Sequence, residues 1–176
     1  MKNKFIGNEL WYLSLAGAFQ RNNVYAENID DNNGKKKEAF KKKLKEHIVK
    51  IAERYHVFVS DEEHVGNMLA LIALNNNEIL KEGKLTFGTA QKLLNLYLKY
   101  MWCTDRLAHI PPHCPVDSII LKNSEQYKYK SWTQLDCKDE YMLYITDLRE
   151  RASGENLHLA EWELGVFNRR AEKIIL

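Results

Sequence analysis

The chain has 176 residues, 45% of them hydrophobic and 28% charged, which suits one compact domain over 1–176 with a sizeable core and a wet surface. A formal net charge of only +2 does not announce a nucleic-acid binder, so any DNA-binding face must come from uneven placement of lysine and arginine. The apolar runs fall short of a membrane span, and Cys103, Cys114 and Cys137 are too few and oddly numbered for a disulfide framework. A cytoplasmic protein with no membrane partner is therefore expected.

In chain order the signals are helical. The stretch LWYLSLAGAF predicts a short helix, and Glu27 to Gly34 reads as an exposed polar loop. From Lys35 to Tyr55, apolar residues recur at Phe40, Leu44, Ile48, Ile51 and Tyr55, tracing one helix face with lysines on the other. Ser60-Asp61-Glu62-Glu63 has the form of a capping box, predicting a helix from about Asp61 to Leu80. Beyond Lys81-Glu82-Gly83, a helix is expected over roughly 89–103. The three prolines make 104–115 stiff and extended, and a short helix should begin near Val116 or Asp117. Asp136 is placed to cap a helix from Cys137 to Ala152 that stops at Gly154. Asn156 is placed to cap the last helix, which carries Leu159, Trp162, Leu164, Val166 and Phe167. Nothing alternates long enough for a strand, so the fold class expected is all-α.

The segment GTAQKLLNLYLKYMWC, followed by PPHCPVDSIIL, carries the chemistry. It sets Lys92 near a helix start and Asp117 at the next helix entry. Cleaving an N-glycosidic bond builds positive charge on the sugar, which a carboxylate stabilises. A deprotonated amine can instead capture C1′ as a Schiff base. An apolar approach and a place in the first helical turn would both favour the neutral amine at Lys92. Each residue also has a plainer reading, Lys92 as a solvated helix lysine and Asp117 as an N-cap.

Gly88-Thr89-Ala90-Gln91-Lys92, the helix ending Tyr100-Met101-Trp102-Cys103, and Pro115-Val116-Asp117 together resemble the helix-hairpin-helix DNA glycosylases. The likeness is nearest to the archaeal 8-oxoguanine glycosylase branch and covers about 88–121. It implies a compact helical glycosylase fold with a hairpin-type phosphate-binding motif, Lys92 as Schiff-base lysine and Asp117 as catalytic aspartate. It implies excision of a damaged base, oxidised guanine or a bulky modified one, from a flipped nucleotide. Strand cleavage by β-elimination would follow where the Schiff base lasts. The chain departs from the family in length and in its hairpin, where Leu85-Thr86-Phe87-Gly88-Thr89 holds one glycine instead of two.

Substrate contacts are expected from Gly88 and Thr89 at the phosphate, Gln91 at a base edge, and His113 and Trp11 lining the pocket. DNA is the expected partner, a monomer the expected state, and no cofactor or metal is required. Cys103, His109, His113 and Cys114 form a rival zinc set, but adjacent His113 and Cys114 suit one tetrahedral ion poorly. Two basic clusters suit a nucleic-acid backbone, the lysines of Lys35–Lys50 and Lys122, Lys128 and Lys130 among Tyr127, Tyr129 and Trp132. A non-catalytic DNA-binding module, or a protein-interaction bundle of a defence system using Glu161-Trp162-Glu163-Leu164, would explain the same composition without using Lys92 or Asp117.

Overall fold

The computed structural model describes residues 1–20, 22–27, 29 and 34–172, with side chains described through Phe167. The described residues form seven α-helices and no strand: α1 (Lys2–Phe19), α2 (Lys35–Ala52), α3 (Asp61–Ile72), α4 (Phe87–Cys103), α5 (Ser118–Leu121), α6 (Lys138–Gly154) and α7 (Leu159–Glu172). No helix among them is long and apolar enough to cross a membrane. Most of the polar loop expected over Glu27–Gly34 lies outside the described residues.

α4 is the axis of the fold. Every residue from Phe87 to Asn95 is buried, and the helix packs on α1, α3 and the Trp132–Gln134 turn. α1 is longer than expected and lies close against α4, with an added Cβ at Gly17 only 2.7 Å from Leu96 Cδ1. α2 buries Phe40, Leu44, Ile48 and Ile51 on the face its periodicity specified, and a 3₁₀ turn over Glu53–His56 brings Tyr55 into the core.

Ser60 caps α3 by accepting the Glu63 amide at 3.2 Å, but the helix stops at Ile72 instead of about Leu80. The chain from Asn75 turns back on itself, with the Asn76 amide on Gly83 O at 2.7 Å. Ile79 and Leu80 then run beside Val24–Ala26 as a single antiparallel bridge, which buries both side chains without helix. The caps of α6 and α7 also differ from expectation. Cys137, not Asp136, precedes α6, its Sγ accepting the Glu140 amide at 3.5 Å. Gly154 is the last residue of α6, and Asn156 takes the left-handed turn at φ 58° that Asn tolerates. His158 starts α7: its ring nitrogen accepts the Ala160 amide at 3.3 Å, and Glu161 reaches back to the His158 amide at 3.1 Å.

Candidate active site

Thr86 caps α4 through the Thr89 amide at 3.2 Å, which puts Lys92 in the second helical turn. The helix dipole fades within the first turn, so the expected dipole effect on Lys92 does not operate. The side chain is nonetheless buried: Lys92 is 10% exposed and its Nζ lies 3.4 Å from Asp117 Oδ2, itself 19% exposed. The same Nζ sits 4.2 Å from the centre of the Trp132 ring, a cation–π contact that desolvation strengthens.

Asp117 caps α5 and touches Lys92 at the same time. Oδ1 accepts the amides of Ile119 (2.8 Å) and Ile120 (3.1 Å), capping α5, and Oδ2 is left for Lys92. The cap fixes the carboxylate's rotation, so one oxygen always points at the lysine.

Trp132 is the site residue that sequence reading undervalued. The Tyr/Lys-rich segment suits either a nucleic-acid contact or the edge of the core, and it divides between the two: Tyr129 is exposed, whereas Trp132 is buried. Gly88 puts it there. The Gly88 amide donates to Leu135 O at 2.8 Å, and a Cβ at Gly88 would fall 1.9 Å from Trp132 O. Only glycine lets the turn carrying Trp132 lie flat on α4.

This corrects the phosphate-binding expectation for Gly88 and Thr89. The amide of Gly88 goes to Leu135, that of Thr89 to Thr86 Oγ1, and that of Ala90 to Thr86 O at 3.1 Å. These amides are committed within the protein. Beside them opens a cavity of about 360 Å³ lined by Asn22, Asn23, Lys81, Lys84, Thr86 and Thr89, among others.

Three further candidates also sit elsewhere than expected. Gln91 is fully buried, donating to Val116 O at 2.7 Å and accepting the Val116 amide at 3.1 Å, so its amide holds the chain rather than facing a base. His113 is buried, one ring nitrogen on Tyr141 OH at 2.9 Å and the other on Asp61 at 3.1 Å, and it too faces the interior. Both its nitrogens are engaged, and among the described residues no cluster of three or more ligating side chains is placed to hold a metal. Trp11 is a core residue at the edge of a separate cavity of about 290 Å³, shared with Tyr12, Lys41, Lys42 and Lys45. That cavity contains neither Lys92 nor Asp117.

Two turns further along the same face of α4 stands a second pair. Lys99 Nζ is 2.8 Å from Glu163 Oε2, with side chains 10% and 3% exposed, and the ammonium lies 4.7 Å from the centre of the Phe167 ring. Burial pushes the Glu163 carboxyl up against the pull of Lys99, and the charge of Asp117 pushes the same way. Lys92, Asp117, Lys99 and Glu163 therefore share one electrostatic neighbourhood between α4, α5 and α7. A spacing of seven on a helix was the available signal, since it returns to the same face. Comparison with known protein families, with characterised proteins and with solved structures finds no match for this chain.

Proposed function

We propose that the chain is a DNA N-glycosylase of the helix-hairpin-helix kind, with Lys92 as nucleophile and Asp117 as its carboxylate partner. The observation that carries this reading is the half-buried Lys92–Asp117 contact at 3.4 Å, roofed by Trp132. The two residues lie 25 positions apart, and Asp117 is aimed by a cap of its own. A lysine that served only as a solvated helix residue would need neither partner.

The chemistry follows from the contact. Lys92 gives a proton to Asp117 Oδ2, and Asp117 passes it to the departing base nitrogen. The C1′–N bond breaks with its electron pair on the base. The freed amine lone pair closes on C1′ while the carboxylate faces the positive charge that develops on the sugar. Opening of the C1′–O4′ bond moves a proton from Nζ to O4′ and leaves the Schiff base. Water then releases an abasic site, or β-elimination cuts the strand. The nucleotide must first leave the stack. Lys99 and Glu163, a donor beside an acceptor, would meet the edge of the flipped base, and the exposed Phe167 ring beside them offers a face for it. The DNA backbone would be gripped by lysine side chains such as Lys81 and Lys84, since the α4 amides named above are engaged.

The test is base release from oligonucleotides, single-stranded and duplex, carrying 8-oxoguanine, uracil, hypoxanthine or glucosylated 5-hydroxymethylcytosine. Free base and abasic sites from one of them, lost in Lys92→Ala, support the proposal. Salt-sensitive DNA retention without base release would instead assign a DNA-binding module. Indifference to DNA would assign an interaction bundle.

A further inference from the structure

The five residues leading to Asp117, Pro112 to Val116, are held from inside the protein. Arg149 donates to Pro112 O at 3.2 Å, and Tyr141 and Asp61 hold the two ring nitrogens of His113. Asn95 Nδ2 donates to Cys114 O at 3.0 Å, and Gln91 closes a two-bond ring on the backbone of Val116. A connecting loop ordinarily lies on the surface with water as its partner. Here α3, α4 and α6 supply its partners, and Asn95 joins them.

The bonds have one consistent direction. Asn95 Oδ1 can only accept, so His64 Nε2 donates to it at 2.9 Å, and His64 Nδ1 must accept from Tyr55 O–H at 2.6 Å. Tyr55 in turn accepts from Asn67 at 3.0 Å, whose oxygen takes Arg54 at 3.0 Å. On the other side Asn95 donates to Tyr141 O at 3.0 Å, Tyr141 donates to His113 Nδ1, and His113 Nε2 donates to Asp61. Asp61 closes the chain by accepting two bonds from Arg149, both at 2.6 Å. Each histidine is thereby fixed in its neutral Nε2–H form. A buried network of this length adds little net stability over an apolar core of the same shape. What it does specify is a single path for the backbone into Asp117.

We infer that Gln91 and Asn95 are positioning residues, which set the Asp117 carboxylate on Lys92 by clamping the backbone of Cys114 and Val116. The inference rests on the glycosylase reading for its functional meaning, and its test is built to fail separately. Gln91→Glu is nearly isosteric but loses the amide donor to Val116 O unless the new carboxyl is protonated. Asn95→Leu removes the junction altogether. At saturating amounts of the best substrate in the oligonucleotide panel, each variant should release base at least ten-fold more slowly. The Kd for the same DNA should stay within two-fold of the natural protein's. For Gln91→Glu the rate should recover as pH falls and the introduced carboxyl takes up a proton, a profile that a merely structural role would not produce. Unchanged rates, or a Kd that rises in step with the loss of rate, would overturn the inference. Should the natural protein release no base, the glycosylase reading fails alone. A ¹⁵N titration of the Lys92 ammonium in the free protein then decides: its midpoint moves in both folded variants if the clamp sets the pair, and stays where it was if the clamp does not.

Discussion

Asp117 does two things that one substitution can separate. Asparagine caps helices about as well as aspartate, so Asp117→Asn should keep α5, while the loss of the charged partner of the buried Lys92 should cost about 1–3 kcal/mol and base release should fall roughly 100-fold or more. Asp117→Ala should lose activity and about 1 kcal/mol more than Asp117→Asn, because the cap goes too. A chemical melt beside a single-turnover assay reads both, and equal activity of Asp117→Asn and the natural protein would remove the carboxylate from the mechanism. Gly88 makes a sharper case. Its missing Cβ is what lets Trp132 O approach, so Gly88→Ala should destabilise by about 1–3 kcal/mol and pull the Trp132 ring from Lys92. Tryptophan fluorescence and thermal melting together follow both effects, and an unchanged melt would contradict the packing described.

At the scale of elements, α4 carries a polar stripe, Gln91, Lys92, Asn95 and Lys99, on a helix that is otherwise core. Its last member is the easiest to test. Lys99→Met strands the buried Glu163 carboxylate and should cost about 3–5 kcal/mol, whereas Lys99→Met with Glu163→Leu should recover most of that. A double replacement as unstable as the single one would show that the pair is not the source. How far elements were legible varies with how local their causes are. The α2 face, the Ser60 cap and the Asp117 cap are written in neighbouring residues, and they stand where the sequence puts them. The end of α3 is not, because Ile79 and Leu80 are buried by pairing with Val24–Ala26, more than fifty positions earlier in the chain. Trp132 belongs to the same class: its contact with Lys92 spans forty residues, and the local pattern of tyrosines and lysines does not separate a core residue from a surface one.

At the scale of the molecule, two neutral histidines sit in the interior between α3, α4 and α6. Burial, and after it the neighbouring His113, holds His64 well below its ordinary value of 6.5, and burial lowers His113 in spite of the pull of Asp61. The groups facing them are Tyr55, Asn95, Tyr141, Asp61 and Arg149. A depressed histidine leaves the folded state with fewer protons than the unfolded one, so stability is full above the unfolded value and is lost as pH falls below it. Denaturant melts should therefore be level from pH 8 to 7 and weaken below about 6.5, with a limiting slope of about 1.4 kcal/mol per pH unit for each histidine. Arg149 and His113 hold Asp61 far below the usual carboxylate range. Its contribution is also present at neutral pH, but it is lost only in stronger acid, below about 4. Stability unchanged down to pH 5 would contradict the neutral, buried histidines.

The all-helical architecture and the short α5 after the prolines were open to sequence reasoning, and the pairing of Lys92 with Asp117 was inferred from spacing and resemblance together. The inward-facing roles of Gln91 and His113 were not, since a polar residue gives no local sign of which buried partner will engage it. The central claim is that Lys92 attacks the sugar, and borohydride trapping on the modified-base oligonucleotides tests it most directly. The account predicts a covalent protein–DNA adduct with at least one substrate, absent in Lys92→Ala. An adduct that persists in Lys92→Ala, or none on any substrate, would contradict it.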